Sequence, residues 1–397
     1  MNIAIVVTHL LGAGHLRRAI NLGNAVKAYG GDVTVISGGV QVTHFDTQQI
    51  NIVQLPAIKS DGTNFTHLLQ PEGIPIDAVY MANRSDMLNT LIRDLDADVV
   101  ITELFPFGRR VLRKEFISML ETVRALPKRT LVLSSVRDIL SPPSSEEKKL
   151  KTEELISRYY DAVLVHADEQ VIDLSASWPV STSLKDKLCY TGFVSPESDS
   201  KIKSDTEICA ESTLITDKNK NIVISAGSGS VGLDIYKTAV HAAAQMTDWH
   251  WHILVGGSDN KSQVDQLKNI ARSTNICIEP VREDFQALLA NCSCSVSMCG
   301  YNTAIDLLQT GAPGVLIPFD SGGETEQTLR AQSLAQRQNY QLLLSKDLTT
   351  DNLINAIHAL FHAQADTAPG ANPDSQAINF DGAKTSVSII GRLLSQM

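Results

Sequence analysis

Short aliphatic and β-branched runs recur along this chain, and almost every one is followed by a segment with helical period. The runs are brief, bounded by turn residues and apolar throughout, as buried parallel strands are. In the first half they fall at 3–8, 32–37, 51–55, 99–102, 130–134, 162–165 and 188–190, with helices expected over 15–29, 76–95, 107–124 and 146–160. A second series falls at 221–225, 250–255, 276–279, 293–298, 314–318 and 341–344, followed by a helix over 350–364. Between the two lies 194–220, which is polar and rich in Ser, Asp and Lys. Steady alternation of strand and helix leaves few architectures open, and each series predicts a doubly wound parallel sheet. The expected fold is α/β, with two Rossmann-like domains at 1–193 and 221–380 and a linker at 194–220. A closing helix at 381–397 is a candidate to pack back on the first domain. Ligands of such sheets gather at the C-terminal ends of the strands, so an interdomain cleft is the expected site.

Bulk properties exclude several classes. At 397 residues the chain is long enough for two or three domains. A net charge of −10 argues against a general nucleic-acid binder. Met1-Asn2 leads straight into an apolar strand with no basic leader, so no signal peptide is expected. No apolar run approaches the roughly 18 residues of a spanning helix. The expected location is the cytoplasm, with a peripheral place at the inner face of the membrane left open. Cys189, Cys209, Cys277, Cys292, Cys294 and Cys299 are scattered or lie in apparent strands, as reduced buried thiols do. The spacing of the last three matches no common zinc pattern, and neither a metal nor a cofactor is expected.

The most specific stretch is Cys299-Gly300-Tyr301-Asn302-Thr303-Ala304-Ile305-Asp306, continuing to Gly311-Ala312-Pro313 and a strand ending near Pro318. A strand, a small-residue turn and a helix beginning near Asn302 and Thr303 would aim free N–H groups and the positive end of a helix dipole at one point. That arrangement suits a phosphate. Asp306, placed about three positions into the helix, offers a carboxylate to a ribose hydroxyl pair. The next strand delivers Glu324, Glu326 and Gln327 to the same edge, where such side chains suit sugar hydroxyls or simply face water. Ser225-Ala226-Gly227-Ser228-Gly229-Ser230 opens the second series and reads as a diphosphate cradle or a flexible turn. It has no Lys, so it is not a P-loop.

The first strand leads into Gly12-Ala13-Gly14-His15-Leu16-Arg17-Arg18. A third glycine and an acidic residue closing the second strand are both missing, which argues against NAD. His15, at a helix start, reads as a cap residue, as a general base facing an acceptor hydroxyl, or as a binding group. A helix N-terminus favours the neutral imidazole that a base needs. Arg17 and Arg18 are either solvated or bind an anion. Glu103, Arg109, Arg110, Arg113 and Lys114 follow the fourth strand and offer a basic helix start to an anionic acceptor or a lipid surface. The bland alternative is a solvated helix face. Arg137 and Asp138 end the next strand as a candidate ion pair.

Taken together, these residues resemble the GT-B glycosyltransferases of the MurG-like group, glycosyltransferase family 28. The likeness is strongest from Asn221 to about Arg337, in Cys299 to Thr303, Asp306, Gly311, Pro313, Pro318 and Glu326-Gln327. It implies that Asp306 holds the ribose of a UDP-sugar. It implies that Ser228, Gly229 and the turn of Gly300, Tyr301, Asn302 and Thr303 hold the diphosphate, and that Glu326 and Gln327 touch the sugar. Glu279 to Arg282, chiefly Val281 and Arg282, would supply backbone contacts to the base. Gly12, Gly14 and His15 resemble the acceptor-side loop, with Arg17, Glu103, Arg109 and Arg137 nearby. The family's ribose ligand is usually Glu and its sugar pair in MurG is commonly Gln-Gln; here they are Asp306 and Glu326-Gln327. The expected activity is an inverting, metal-independent transfer from a nucleotide-diphosphate sugar to an acceptor hydroxyl, with His15 as base. The acceptor is unspecified, with an anionic or lipid-linked one favoured. A nucleotide-sugar hydrolase or 2-epimerase on the same fold, or a non-catalytic nucleotide-sugar-binding protein, is the alternative.

Overall fold

The computed structural model describes residues 1–10, 13–42, 49–61, 64–194, 220–227, 232–257, 260–282, 284–320, 324–365 and 377–397. The chain divides into two compact units, Met1–Glu197 together with Ile378–Met397, and Ser198–Ala377.

The first unit is built from β1 (Asn2–Val7), α1 (Gly14–Ala28), β2 (Asp32–Ser37), β3 (Asn51–Gln54), β4 (Lys59–Asp61), β5 (Asn64–Leu69), α2 (Ala78–Leu95), β6 (Val99–Glu103), α3 (Arg113–Arg124), β7 (Leu131–Arg137), α4 (Glu146–Tyr159), β8 (Ala162–His166), α5 (Thr182–Lys185) and β9 (Leu188–Tyr190). Seven strands form a parallel sheet in the order β3-β2-β1-β6-β7-β8-β9. The direction of winding reverses between β1 and β6. The loops after these two strands therefore part to opposite faces and leave a crevice at their C-terminal ends.

The second unit comprises β10 (Asn221–Ser225), α6 (Leu233–Gln245), β11 (His250–Val255), α7 (Asn260–Ile270), β12 (Ile276–Pro280), α8 (Phe285–Ala290), β13 (Cys294–Ser297), α9 (Tyr301–Thr310), β14 (Gly314–Leu316), α10 (Glu326–Leu334), β15 (Tyr340–Leu342) and α11 (Thr350–Ala365). Its six-stranded parallel sheet runs β12-β11-β10-β13-β14-β15, so the same kind of reversal lies between β10 and β13. The last helix, α12 (Gly382–Leu394), belongs to the first unit.

Each sheet is apolar on both faces because helices cover both. In the first unit Ile3, Ile5 and Val7 of β1 bury against Leu16, Ala19 and Ile20 of α1, joined by Val387 and Ile390 of α12. In the second, Ile222 and Ile224 of β10 share a core with Ala239 and Val240 of α6 and Leu353 and Ile357 of α11. At ~25 cal/mol per Å² of apolar surface, such side chains contribute about 1.5–3 kcal/mol each when fully buried.

Three features differ from the pattern in the sequence. The chain rejoins the first unit at Ile378, ahead of 381. Phe193 and Asn379 explain this: the Phe193 N–H donates to the Asn379 carbonyl at 2.8 Å, and the Asn379 amide donates to the Thr191 carbonyl at 3.0 Å. The approach is close enough that a Cβ on Gly192, where φ is +82°, would lie 2.5 Å from Asn379. Second, the helix expected over 107–124 begins only at Arg113, after a 3₁₀ turn at Arg110–Leu112. Leu104 and Arg109 adopt positive φ, and the Phe105 carbonyl accepts the hydroxyls of Thr102 and Ser134, so residues 104–109 are held as a shaped loop. Third, β4 and β5 pair as a small antiparallel ribbon that no apolar period announces. Ser60 anchors it, with its N–H and its hydroxyl both donating to the Leu10 carbonyl.

Candidate functional site

In the first unit, the crevice between β1 and β6 brings His15 and Glu103 together. His15 is the second residue of α1, whose N-cap residue Ala13 makes no side-chain cap bond. Glu103 ends β6. Its carboxylate is 2% exposed, and Oε1 lies 2.9 Å from His15 Nδ1. Arg18, one turn along α1, forms a buried ion pair with the same carboxylate. Burial alone would raise the Glu103 pKa, but the Arg18 guanidinium and the His15 hydrogen bond outweigh it and hold it well below the ordinary carboxylate range. For His15, burial dominates over the attraction of Glu103 and lowers the pKa to about 3. The imidazole is neutral because it is desolvated, a stronger cause than the helix N-terminus expected from sequence.

The tautomer follows from the donors available. An ionised carboxylate only accepts, so the proton between His15 and Glu103 sits on Nδ1. The Arg18 Nη2 contact to Nδ1 at 3.1 Å is then proximity rather than a hydrogen bond. Nε2 is left with its lone pair, and no hydrogen-bond partner for it lies among the described residues. That is the form in which imidazole accepts a proton.

The surrounding acceptor-side candidates divide. Gly14 faces open space, with nothing within 4 Å of where a Cβ would stand. Gly12 lies outside the described residues. Arg17 is exposed, whereas Arg18 is buried, so only the second is settled as an internal ion-pair partner. Arg109 ties the two loops of the crevice, its Nε donating to the Thr8 carbonyl at 2.6 Å. Burial, with smaller contributions from Arg137 and Arg18 and against that of Glu103, lowers its pKa to about 10, so it remains a cation. Arg137 donates to the Ile139 carbonyl at 3.2 Å. Just past Glu103, Phe105 and Pro106 line a cavity of about 230 Å³ together with Thr152 and Leu155. Arg110, Arg113, Lys148 and Lys151 also line it. Lys151 is paired with Glu147, and Arg110 sits 6.0 Å from the centre of the Trp178 ring.

In the second unit, the reversal between β10 and β13 is flanked by the loop after β10 and the turn Met298-Cys299-Gly300. Residues 228–231, including Ser228 and Gly229, lie outside the described residues. Tyr236 ties the described start of that loop to the end of β11, its hydroxyl accepting the N–H groups of Ala226 and Gly256 at 3.3 Å each. Gly300 is the N-cap of α9, no side chain caps that helix, and open space surrounds the Gly300 Cα. Tyr301, Asn302 and Thr303 form its first turn, so their N–H groups head the helix dipole. Asp306 is the sixth residue of α9, which starts at Tyr301, just ahead of the expected Asn302. Its Oδ1 accepts from Gln286 of α8 at 2.7 Å. Burial raises its pKa, and the Gln286 hydrogen bond opposes the rise.

Gln327 and Glu326 have duties within the fold. Gln327 Oε1 accepts the N–H groups of Cys299 at 3.1 Å and Phe319 at 3.2 Å, stitching the ends of β13 and β14 together. Glu326 pairs with Arg330 at 2.9 Å, and Arg330 donates to the Cys299 carbonyl at 2.8 Å. Both side chains thus brace the turn that a ligand would meet. Arg330 was not distinguished by sequence; its only signal was the i,i+4 spacing from Glu326. Val281 is exposed, its N–H donating to the Val255 carbonyl at 3.1 Å. The Arg282 side chain is bidentate to Asp284, at 2.7 Å for each bond.

Two polar clusters need a structural reading. His252, Cys277 and Glu279 place ligand atoms within 4.8 Å of one another. Glu279 Oε1 is engaged by His252 at 2.6 Å and by Arg282 at 3.2 Å, and a guanidinium so placed opposes a cation. Asp94-Leu95-Asp96 and Asp96-Ala97-Asp98 are Asp-x-Asp motifs, a pattern that the expectation of a metal-independent transfer took to be absent. They lie at the end of α2 and the start of β6, the edge of the sheet away from His15, where Asp98 binds Lys128 and the Asn2 N–H.

Comparison with known proteins bears on both units. Residues 222–385 match the glycosyltransferase family 28 C-terminal domain. UDP-N-acetylglucosamine--N-acetylmuramyl-(pentapeptide) pyrophosphoryl-undecaprenol N-acetylglucosamine transferase 1 of Bacillus cereus (strain ATCC 14579) is 26% identical over 52% of this chain and 54% of its own. The corresponding transferase of Thermosipho melanesiensis is 25% identical over 49% of this chain and 58% of its own. The chain thus spans little more than half the length of these relatives. Among solved structures, Acinetobacter baumannii MurG superposes with a TM-score of 0.62 at 16% identity, covering 100% of both chains. A glycosyltransferase from Rickettsia africae ESF-5 gives 0.60 at 12% identity, over 99% of this chain and 98% of its own. No helix among the described residues is long and apolar enough to cross a membrane. By the sequence of its second unit the chain carries a glycosyltransferase family 28 C-terminal domain, and the fold of its two units is that of MurG and the other GT-B structures it superposes on.

Proposed function

We propose that this chain transfers a sugar from a nucleotide-diphosphate sugar to an acceptor hydroxyl, with inversion and without a metal. The observation that carries the proposal is the His15–Glu103 pair: a neutral imidazole, held by a buried carboxylate, at the winding reversal of the first sheet. In the proposed reaction the acceptor oxygen attacks the anomeric carbon of the sugar and its proton passes to His15 Nε2. The bond from that carbon to the diphosphate oxygen breaks, and the electron pair leaves with the nucleotide. The second unit binds the donor. The uncapped N-terminus of α9 meets the charge growing on the diphosphate, which is the task a metal performs elsewhere. Asp306 takes the ribose hydroxyls, and the backbone near Val281 and Arg282 takes the base. Ser228 and Gly229 complete the proposed cradle.

UDP is the proposed nucleotide, because the curated relatives are named for UDP-N-acetylglucosamine. The first unit binds the acceptor. Its cavity of about 230 Å³, lined by Phe105, Pro106 and Leu155 and by Arg110, Arg113, Lys148 and Lys151, supports an acceptor with both anionic and apolar parts. A peripheral membrane position follows for a lipid-linked acceptor.

Calorimetric titration with UDP in the presence of EDTA tests the donor site, followed by UDP-, GDP- and dTDP-sugars. Micromolar binding of UDP without metal is expected. Binding of a different nucleotide would change the donor class, and no binding at all would overturn the reading. Consumption of the sugar nucleotide with no acceptor present would favour a hydrolase or epimerase. Equal binding to anionic and neutral vesicles would remove the lipid-surface proposal.

A further inference from the structure

The His15–Glu103 pair is the visible end of a longer buried chain. Glu103 ends β6, Ser135 lies on β7, His166 ends β8 and Thr191 follows β9. Three adjacent strands and the residue after a fourth each place one of these polar side chains in a row near the C-terminal edge of the sheet. Every member is buried: Glu103 and Ser135 are 2% exposed, His166 and Thr191 0%. Ser135 Oγ donates to Glu103 Oε2 at 2.6 Å and lies 2.9 Å from His166 Nε2. His166 Nδ1 lies 2.9 Å from Thr191 Oγ1.

We propose that Ser135 and His166 are positioning residues for the base, acting through Glu103 to fix the tautomer and basicity of His15. The proposal rests on the reading of His15 as the base.

The direction of the row follows from counting protons. Glu103 is an anion and only accepts, so the single hydroxyl proton of Ser135 points to it. The contact between Ser135 Oγ and His166 Nε2 therefore needs the proton on Nε2. Burial lowers the His166 pKa to about 3, so this imidazole is neutral and its Nδ1 carries a lone pair. The Thr191 hydroxyl must donate to that lone pair. It also lies 2.8 Å from the Gly192 carbonyl, but were its proton placed there, two lone pairs would face each other at 2.9 Å. All the donors thus point towards Glu103: Thr191 to His166, His166 to Ser135, Ser135 to Oε2, with His15 and Arg18 on Oε1.

The chemical effect is a balance. The charged and titratable groups acting on Glu103 are His15 and Arg18 from α1, Arg109 from the loop after β6, and His166 from β8 through Ser135, while Arg137 of β7 acts on Arg109. Arg18 and Ser135 draw charge away from the carboxylate. Without the Ser135 donor, Glu103 holds the Nδ1 proton more strongly and stabilises the imidazolium. The His15 pKa then rises, and the carboxylate loses one of the bonds that aims it. His166 keeps Ser135 oriented, because it occupies the oxygen lone pair that would otherwise draw the hydroxyl elsewhere.

The experiment uses the full chain labelled with ¹⁵N-histidine and follows ring nitrogens across pH, so it needs no acceptor. His15→Ala and His166→Gln assign the two signals. Wild-type protein is expected to show His15 protonated on Nδ1 and His166 on Nε2. Ser135→Ala should move the His15 titration to higher pH. His166→Gln should leave it in place, because a Gln amide donates to Ser135 and accepts from Thr191. His166→Phe should move it as Ser135→Ala does, and the double variant Ser135→Ala/His166→Phe no further than Ser135→Ala alone. In turnover, Ser135→Ala should lower kcat about tenfold or more, with donor KM unchanged. An Nδ1-protonated His166, or a His15 titration unmoved in Ser135→Ala, would overturn the proposal. So would a loss of stability in Ser135→Ala with kcat unchanged, the mark of a purely structural row. Should His15→Ala keep its full kcat, the base reading falls instead, and the nitrogen signals still report whether the relay exists.

Discussion

Arg330, with a fully buried side chain, donates to the Cys299 carbonyl at 2.8 Å. This bond fixes the turn from which α9 starts, and with it the direction of the N–H groups proposed to meet a diphosphate. Replacing Arg330 with Met would leave that carbonyl without its charged donor and would remove the ion pair to Glu326. A loss of about 1–3 kcal/mol of stability in the second unit is expected, by the worth of hydrogen bonds to charged groups. UDP should also bind more weakly. Thermal unfolding and calorimetry on the same variant check both, and undiminished UDP affinity would separate the turn from the ligand site.

Asp306 offers a cleaner probe of binding, since it lies on one helix and its side chain accepts a hydrogen bond from Gln286. Asp306→Ala should weaken UDP binding about tenfold, the value of one or two hydrogen bonds to a charged group, with little change in unfolding temperature. Deoxyuridine diphosphates, lacking one ribose hydroxyl, should then bind the variant and the wild type alike. A variant that still discriminates between ribose and deoxyribose would place the ribose elsewhere.

Arg84 and Glu115 join α2 to α3 inside the first unit, with exposures of 0% and 1%. Arg84 also donates to the Gly38 carbonyl and to Thr8 Oγ1, at the ends of β2 and β1. Arg84→Met would strand the Glu115 carboxylate, whose pKa burial already raises against the pull of Arg84. A destabilisation of about 3–5 kcal/mol is expected. The double variant Arg84→Met/Glu115→Leu should recover much of it, because no lone charge remains. Denaturant titration of both variants decides this. A double variant as unstable as the single one would show that the bonds to Gly38 and Thr8, rather than the ion pair, hold these elements.

The elements were legible because burial on both faces makes each strand a continuous apolar run, as in Asn221–Ser225 and His250–Val255. The turn at Gly300 was legible for a local reason: strand, glycine and helix are contiguous there. What the sequence withheld is what depends on strand order. His15 and Glu103 are 88 residues apart, and only the placement of β6 beside β1 brings them to one crevice. The same holds for Ser135, which follows Ser134 inside β7, and for His166, the polar end of the apolar run in β8. The loop at 104–109 was misjudged because Phe107 continues the helical phase, while the positive φ of Leu104 and Arg109 has no such signal in residue type. Glu326 and Gln327 were chosen for their chemistry, and the structure gives both a bracing duty that only the returning chain at α10 reveals.

The acid dependence of the first unit follows from its two buried imidazoles. His15 and His166 are each lowered from 6.5 to about 3, mainly by burial. Between those values the unfolded chain binds protons that the folded chain refuses, so stability falls as pH falls through that window. Glu103 acts in the same direction at the lower end: its depressed pKa gives stability that is present above the unfolded carboxylate range and lost as acid protonates it. Unfolding temperature should therefore decline between about pH 6.5 and pH 4. His166→Gln should decline less steeply, since it removes one titrating ring and keeps its hydrogen bonds. Turnover should show no acid limb near the ordinary histidine value, because His15 remains neutral well below it. Scans of wild type and His166→Gln in matched buffers test the slope. Parallel declines would mean that carboxylates elsewhere, rather than the row behind His15, set the acid limit of this unit.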